Sequence, residues 1–270
     1  VSAPIEGSDA DEPLRAEHRG GVLWVILNRP QAANALTPDH RDRVIEILDA
    51  ASSDPSVRVV VLAAEGRHFC SGADLSGGAG GPRLAGDIAR ALRTGSQRLM
   101  AAVLDCEKPV VAEVHGAAAG IGAHLVMACD FAVAADDARL IEVFARRGLV
   151  PDGGGAYLLP RLVGPMRAKE LMMLADDLPA ERAYQLGLVT SVVPRPELRG
   201  ETEKLVERLA AAPTRTLALC KWLVNRSLDS SRDQCFADEA MAQEQNMGTD
   251  DAQEGVAAFV ARRPAEFQGR

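Results

Sequence analysis

Two rhythms of apolar residues alternate along this 270-residue chain: short unbroken runs, and stretches with helical period. "GVLWVILNRP" (21–30), "VRVVVLAAEG" (57–66) and "VVAEV" (110–114) have the first rhythm, that of strands buried on both faces. "LTPDHRDRVIEILDAASSD" (36–54) has the second. Val44, Ile45 and Leu48 make one helical stripe there, with Thr37 as N-cap and Pro38 at the first helical position. A further helix is expected over about 83–104, then a helix starting near Gly120 and a strand pair around "FAVAADDARLIEV" (131–143). Beyond Gly153 helices dominate, over 153–162, 166–176, 180–187, 197–211, 214–227, 232–246 and 250–262, broken by one strand, "LVTSVV" (188–193). Alternation of strand and helix over the first two-thirds predicts α/β layers. The boundaries read as a flexible tail over 1–15, a core over 16–195 and a helical C-terminal region over 196–270.

Charge and composition narrow the function classes. With 30 basic against 38 acidic residues the net charge is -8, which disfavours nucleic acid as a partner. The tail "VSAPIEGSDADEPLRAEHRG" is polar and lacks the apolar stretch of a signal peptide, and no apolar run reaches the roughly 18 residues of a membrane span. Five scattered cysteines without a CxxC pair read as reduced thiols, Cys106 and Cys129 as small buried hydrophobes. The expectation is a cytoplasmic protein with no membrane partner and no metal.

Three segments could carry chemistry. In "FCSGADL" (69–75), Gly72 permits a sharp turn that leaves the Ala73 N–H free; the plain structural reading has Asp74 capping the next segment. In "HGAAAGIGAHLVMACD" (115–130) a helix starts near Gly120 and offers unpaired N–H groups. A dinucleotide fingerprint would need glycine at position 125, which is leucine, and there is no Walker lysine. Two backbone donors converging on a developing oxyanion fit better. In "GLVPDGGGAYLLPRLVG" (148–164) proline and glycines make turn chemistry, while Phe144, Leu149, Val150 and Pro151 give Asp152 apolar neighbours. Desolvation there would raise its pKa and make it a stronger base.

Together with "LNRPQAANAL", "KPVVAEV", "AERAYQLGLVTSVV" and "EGVAAFVARRPAEF", these segments in this order resemble the crotonase (enoyl-CoA hydratase/isomerase) superfamily over almost the whole chain after the tail. The resemblance implies a spiral of repeated ββα units with a helical C-terminal region that serves as lid or trimerisation element, a homotrimer or a dimer of trimers, and an acyl-CoA thioester as substrate with no separate cofactor. It places the oxyanion hole at the N–H groups of Ala73 and Ile121, the acyl pocket at Ile121 and Phe144, and CoA contacts at Arg29, Ala33, Ala73, Asp74 and Leu75. Phe259 and Arg262, from the final helix, are expected to reach CoA as well, from a neighbouring subunit.

The sequence also departs from that family's hydratases, which hold a water between two glutamates. Their positions here carry His124 and Phe144. Asp152 remains, where several isomerases of the superfamily carry their acid, and the wording resembles the phenylacetate-pathway isomerases. A double-bond shift needs one base that takes a proton and returns it two carbons away, so the leading expectation is isomerisation of a 3-enoyl-CoA to a 2-enoyl-CoA with Asp152 as base. The alternatives are a hydratase using Asp152 with His124, and a binding protein that turns nothing over. His124 reads either as a second acid–base group or as a space-filling ring bonded to a backbone carbonyl. Glu142 reads as an exposed or bridging strand residue, or as a substitute acid on the side of Phe144. Asp130 reads as a turn organiser, and Trp24 and Trp222 as core or subunit contacts.

Overall fold

The structure, a computed structural model, describes residues 12–76 and 84–270. The glycine-rich stretch expected to be poorly ordered over 76–82 falls, apart from Ser76, outside the described residues, as does most of the expected tail. The first half runs β1 (Leu14–Arg19), β2 (Val22–Leu27), α1 (Pro38–Ser53), β3 (Val59–Ala64), α2 (Asp87–Thr94), α3 (Ser96–Asp105), β4 (Val110–Val114), β5 (Ala117–Ala119) and α4 (Ile121–Ala128). After it come β6 (Phe131–Ala135), β7 (Arg139–Ile141), α5 (Gly155–Leu174), β8 (Leu178–Pro179), α6 (Ala180–Gln185) and β9 (Ser191–Val193). Four helices close the chain: α7 (Leu198–Ala210), α8 (Thr214–Ser227), α9 (Arg232–Met247) and α10 (Asp250–Ala261).

Two sheets carry the core. The larger has the order β1-β2-β3-β4-β6-β9 and the smaller β5-β7-β8. Within the larger sheet only β1 pairs antiparallel; the remaining neighbours are parallel. Successive turns of chain add one strand to each sheet and then a helix: β4, β5 and α4, followed by β6, β7 and α5. The segment after β3 joins the same pattern through a bridge between Cys70 and Ala118. This is the expected spiral of ββα units.

Strand alternation explains the layering. Leu23, Val25 and Leu27 of β2 face the main core with Val44 and Leu48 of α1, whereas Val22, Trp24 and Ile26 face a second core closed by Leu198 and Val206 of α7. Each such side chain contributes about 1.5–3 kcal/mol by leaving water. The Thr37 hydroxyl caps α1 by accepting from the His40 N–H at 3.3 Å, as the sequence indicated.

Two expectations are corrected. Leu14 and Arg15 belong to β1 rather than to a tail, because Leu14 and Ala16 are buried against β2 while Arg15 and Glu17 alternate onto the other, partly exposed face. The single helix expected over 83–104 is two, broken at Gly95 (φ -109, ψ -100), where a side chain would overlap the Arg41 guanidinium. By contrast α5 divides where the sequence put a break: Gly164 is non-helical (φ 79, ψ 160) before Pro165.

The last three helices bury little in the protomer: Thr214 of α8, Ala242 of α9, and Asp251 and Ala258 of α10. Lys221 of α8 ties them to the core. Its ammonium meets the Asp130 carboxylate and the Val103 carbonyl, each at 2.8 Å. Asp130 also accepts from the Val110 N–H at 2.7 Å, so it organises the start of β4 as well as its own turn. Trp24 is a core residue with the Arg199 guanidinium 4.2 Å from its ring centre, whereas Trp222 is exposed. Cys106 is buried as expected, Cys129 is partly buried, and Cys70 is buried with its thiol pushed up to about 12 by desolvation. No helix is long and apolar enough to cross a membrane, and no cluster of metal-ligating side chains occurs among the described residues.

Candidate active site

The segments carrying Ala73 and Ile121 are drawn together by Gly72. This residue has φ 102, a conformation that side-chain-bearing residues rarely adopt, and a Cβ placed on it would lie 2.9 Å from the Ala119 carbonyl oxygen and 3.7 Å from the Ile121 nitrogen. A parallel bridge fixes the turn: the Leu36 N–H donates to the Gly72 carbonyl and the Asp74 N–H to the Leu36 carbonyl. In that register the N–H of the intervening Ala73 faces away from the ladder. The Ile121 N–H opens α4 and, as a first-turn donor, has no partner within the helix. Two donors from different turns of the spiral thus stand beside one close backbone approach.

Asp152 enters from the loop before α5. The three glycines after it serve different ends. Gly153 and Gly154 take positive φ (55 and 87), while a side chain at Gly155 would overlap the His124 imidazole at Nε2. A Cβ on Gly153 would lie 3.5 Å from both His124 Nδ1 and the Ile121 side chain, which locates the Asp152 loop against the start of α4. The Asp152 Oδ1 atom is buried with no hydrogen-bond partner. Burial pushes its carboxyl above the ordinary carboxylate range; charge on His124 works against that rise and charge on Glu142 adds to it.

His124 is closed off from solvent, and it does not bond a backbone carbonyl. Its Nε2 faces the Glu142 carboxylate, at 3.1 Å to one oxygen and 3.3 Å to the other. Nδ1 is buried without a partner. Phe144 stacks on the imidazole, with ring centres 5.4 Å apart and planes 15° from parallel. Glu142 is therefore neither exposed nor on a continuing strand: β7 stops at Ile141, and the turn after it brings both Glu142 and Phe144 onto one ring. Phe144 is buried, near Gly120 as well as His124.

The residues expected to hold CoA divide into two groups. Arg29 reaches the Ala35 carbonyl at 2.8 Å and the Asp74 carboxylate at 3.1 Å, and the Ala33 carbonyl accepts from the Ser71 N–H, so Arg29, Ala33 and Asp74 adjoin the Ala73 turn. Asp74 accepts from the Ser76 hydroxyl and N–H, which with Arg29 hold its carboxyl down at about 2. Leu75 is exposed beside it. Phe259 and Arg262 stand apart, with Phe259 84% exposed at the far end of α10. The start of α10 is held at Asp251 by the N–H groups of Gln268 and Gly269, and Gly269 lies near Arg58, which precedes β3 where Ala73 follows it. No described interaction joins either residue to Ala73, Ile121 or Asp152 within the protomer.

What the sequence did not reveal is the pairing of His124 with Glu142. The two are 18 positions apart and meet only because consecutive turns of the spiral stack. A glycine at 155 beside a ring at 124 was the one available signal, and it needs the fold to be legible.

Comparison with known proteins gives the family of the whole chain. The family described as Enoyl-CoA hydratase/isomerase matches residues 17–270. The "Probable enoyl-CoA hydratase" of Rhodobacter capsulatus is 35% identical over 257 residues, spanning 95% of this chain and 98% of that protein. The 1,2-epoxyphenylacetyl-CoA isomerase of Escherichia coli is 34% identical over 251 residues, spanning 93% and 96%. A crystal structure of enoyl-CoA hydratase from Mycobacterium smegmatis superposes with a TM-score of 0.89 at 34% identity, covering 95% of this chain and 99% of that one. A match over nearly the full length, on the same spiral of ββα units, shows that the chain belongs to the enoyl-CoA hydratase/isomerase family and is an enzyme of the crotonase superfamily.

Proposed function

We propose that this enzyme shifts a double bond in an acyl-CoA thioester, from the 3,4 to the 2,3 position, with Asp152 as its base. The observation that carries the reading is the buried, unpartnered Asp152 Oδ1, whose affinity for a proton is raised by desolvation. Asp152 takes the α-proton, the C–H pair passes into a dienolate, and the same carboxylic acid returns the proton at the γ-carbon. The developing oxyanion lies between the Ala73 and Ile121 N–H groups, each such donor being worth about 2.7–4 kcal/mol in a transition state. Phe144 and Ile121 supply an apolar wall for the acyl chain, and the Arg29 and Ala33 side of the Ala73 turn receives CoA. The exposed apolar residues of α8 to α10 are covered by further copies of the chain in a trimer, which would bring Phe259 and Arg262 to a neighbour's CoA.

The test is the conversion of trans-3-hexenoyl-CoA to the conjugated thioester, followed by absorbance, for the wild type and Asp152→Asn. Turnover that persists undiminished in the variant rules out Asp152 as the base. A second reading is favoured by one observation: His124 Nδ1 and Asp152 Oδ1 are both buried and unpartnered, and such a pair of polar atoms could hold a water for hydration. Formation of 3-hydroxybutyryl-CoA from crotonyl-CoA would select it.

A further inference from the structure

An imidazole nitrogen that donates to a carboxylate leaves the other nitrogen of a neutral ring as an acceptor. Both Glu142 oxygens lie within bonding distance of His124 Nε2, so that nitrogen carries the hydrogen. Among the described residues no other hydrogen bond reaches the carboxylate. The cavity bordering Glu142 is lined largely by apolar side chains, among them Leu140, Leu159 and Leu178, and its volume is about 10 Å³. That is at the lower limit of what one water needs. The ring cannot swing away, because Phe144 covers one face and the Gly155 backbone lies against Nε2. Nδ1 is left buried, unpartnered and beside the loop that carries Asp152, whose own Oδ1 is buried and unpartnered.

We propose that Glu142 is a positioning residue: by taking the Nε2 hydrogen of His124 it aims the lone pair of Nδ1 at Asp152, where it accepts a hydrogen bond from the carboxylic acid that Asp152 becomes on collecting a proton. The inference rests on the reading of Asp152 as the base, and it gives His124 a role without contact to substrate. A bond accepted from the protonated form favours that form, so the pair makes Asp152 a stronger base. The titratable groups acting on Asp152 are His124 from α4 and Glu142 from the turn after β7. The charge of Glu142 works in the same direction as the bond from Nδ1, whereas a protonated imidazole would work against it. In the catalytic step the substrate C–H bond breaks, its electron pair enters the dienolate, and the new O–H bond on Asp152 points at Nδ1. Return of the proton to carbon reverses this, and no other reactant is consumed.

The test uses the full chain without substrate. Nitrogen-15 chemical shifts of His124 at pH 7 should show Nε2 protonated and Nδ1 bare; a protonated Nδ1 overturns the proposal. Carbon-13 titration of the Asp152 carboxyl, identified by its loss in Asp152→Asn, should show a midpoint that moves to lower pH in Glu142→Gln. A midpoint that stays or rises in a folded Glu142→Gln protein overturns it as well. Should that variant fail to fold, the tautomer of the wild type decides alone. With trans-3-hexenoyl-CoA, the acid limb of kcat/KM should follow the carboxyl midpoint downward and kcat at neutral pH should fall on the order of tenfold. A downward midpoint in a protein that leaves 3-enoyl-CoA untouched would uphold the positioning role while removing the isomerase reading.

Discussion

His124 and Glu142 form a hydrogen-bonded pair, Nε2 to Oε1 at 3.1 Å, in which neither side chain exceeds 5% exposure. Burying two such groups is compensated only while they stay together. Breaking a buried pair by removing one member typically costs about 3–5 kcal/mol, whereas replacing both by apolar groups costs far less. We expect His124→Leu and Glu142→Leu each to lose stability on that scale, and the double variant to regain most of it. Urea denaturation of the three at one protein concentration measures the coupling.

Asp152 gives a pH prediction with a definite sign. Its carboxyl is raised by burial in the folded state, so the folded protein binds a proton that the unfolded chain has already lost. Stability therefore falls as pH rises from the ordinary carboxylate value through the raised one, and it is restored at lower pH. Activity runs the other way, since the base must be ionised before it can take a proton. We expect Asp152→Asn to remove most turnover, by about 100-fold or more, and to raise Tm at pH 7. Calorimetry at pH 7 and near pH 4 checks this, the gain shrinking at the lower pH.

Gly72→Ala tests the proposed oxyanion hole. The new methyl would lie 2.9 Å from the Ala119 carbonyl oxygen at a φ of 102, so the turn must move and the Ala73 N–H with it. Loss of one oxyanion donor typically lowers kcat by about 100- to 1,000-fold. Substrate binding should change less than kcat, which steady-state kinetics on a 3-enoyl-CoA would separate.

The C-terminal helices lead to a statement about assembly. Phe236, Met241, Val256, Phe259 and Val260 are each more than half exposed in the protomer. An apolar surface of that kind calls for a partner surface. Sedimentation should give a trimer or a multiple of it, and Phe236→Glu with Met241→Glu should shift the protein towards monomer.

Much of this architecture was legible because it depends on local pattern. The apolar runs of β2, β3 and β4 read as buried strands from their length and β-branched content, and Thr37-Pro38 marked the start of α1 by its own chemistry. β1 was missed because it buries only Leu14 and Ala16, too few apolar positions to stand out from a polar terminus. The break at Gly95 was missed because the Arg41 side chain that needs the space comes from α1. At the site, Asp152, Ala73 and Ile121 were marked by turns and helix starts written into adjacent residues. The partner of His124 was not, since only stacked turns of the spiral bring residue 142 against residue 124.

The two backbone donors come from the turn after β3 and the start of α4, whereas the carboxylate comes from the loop before α5. Under the proposed mechanism the grip on the thioester carbonyl and the handling of protons therefore belong to separate stretches of chain. A lineage could rewrite residues 142 to 155 and exchange one reaction for another while every ancestor went on holding the same anion in the same place.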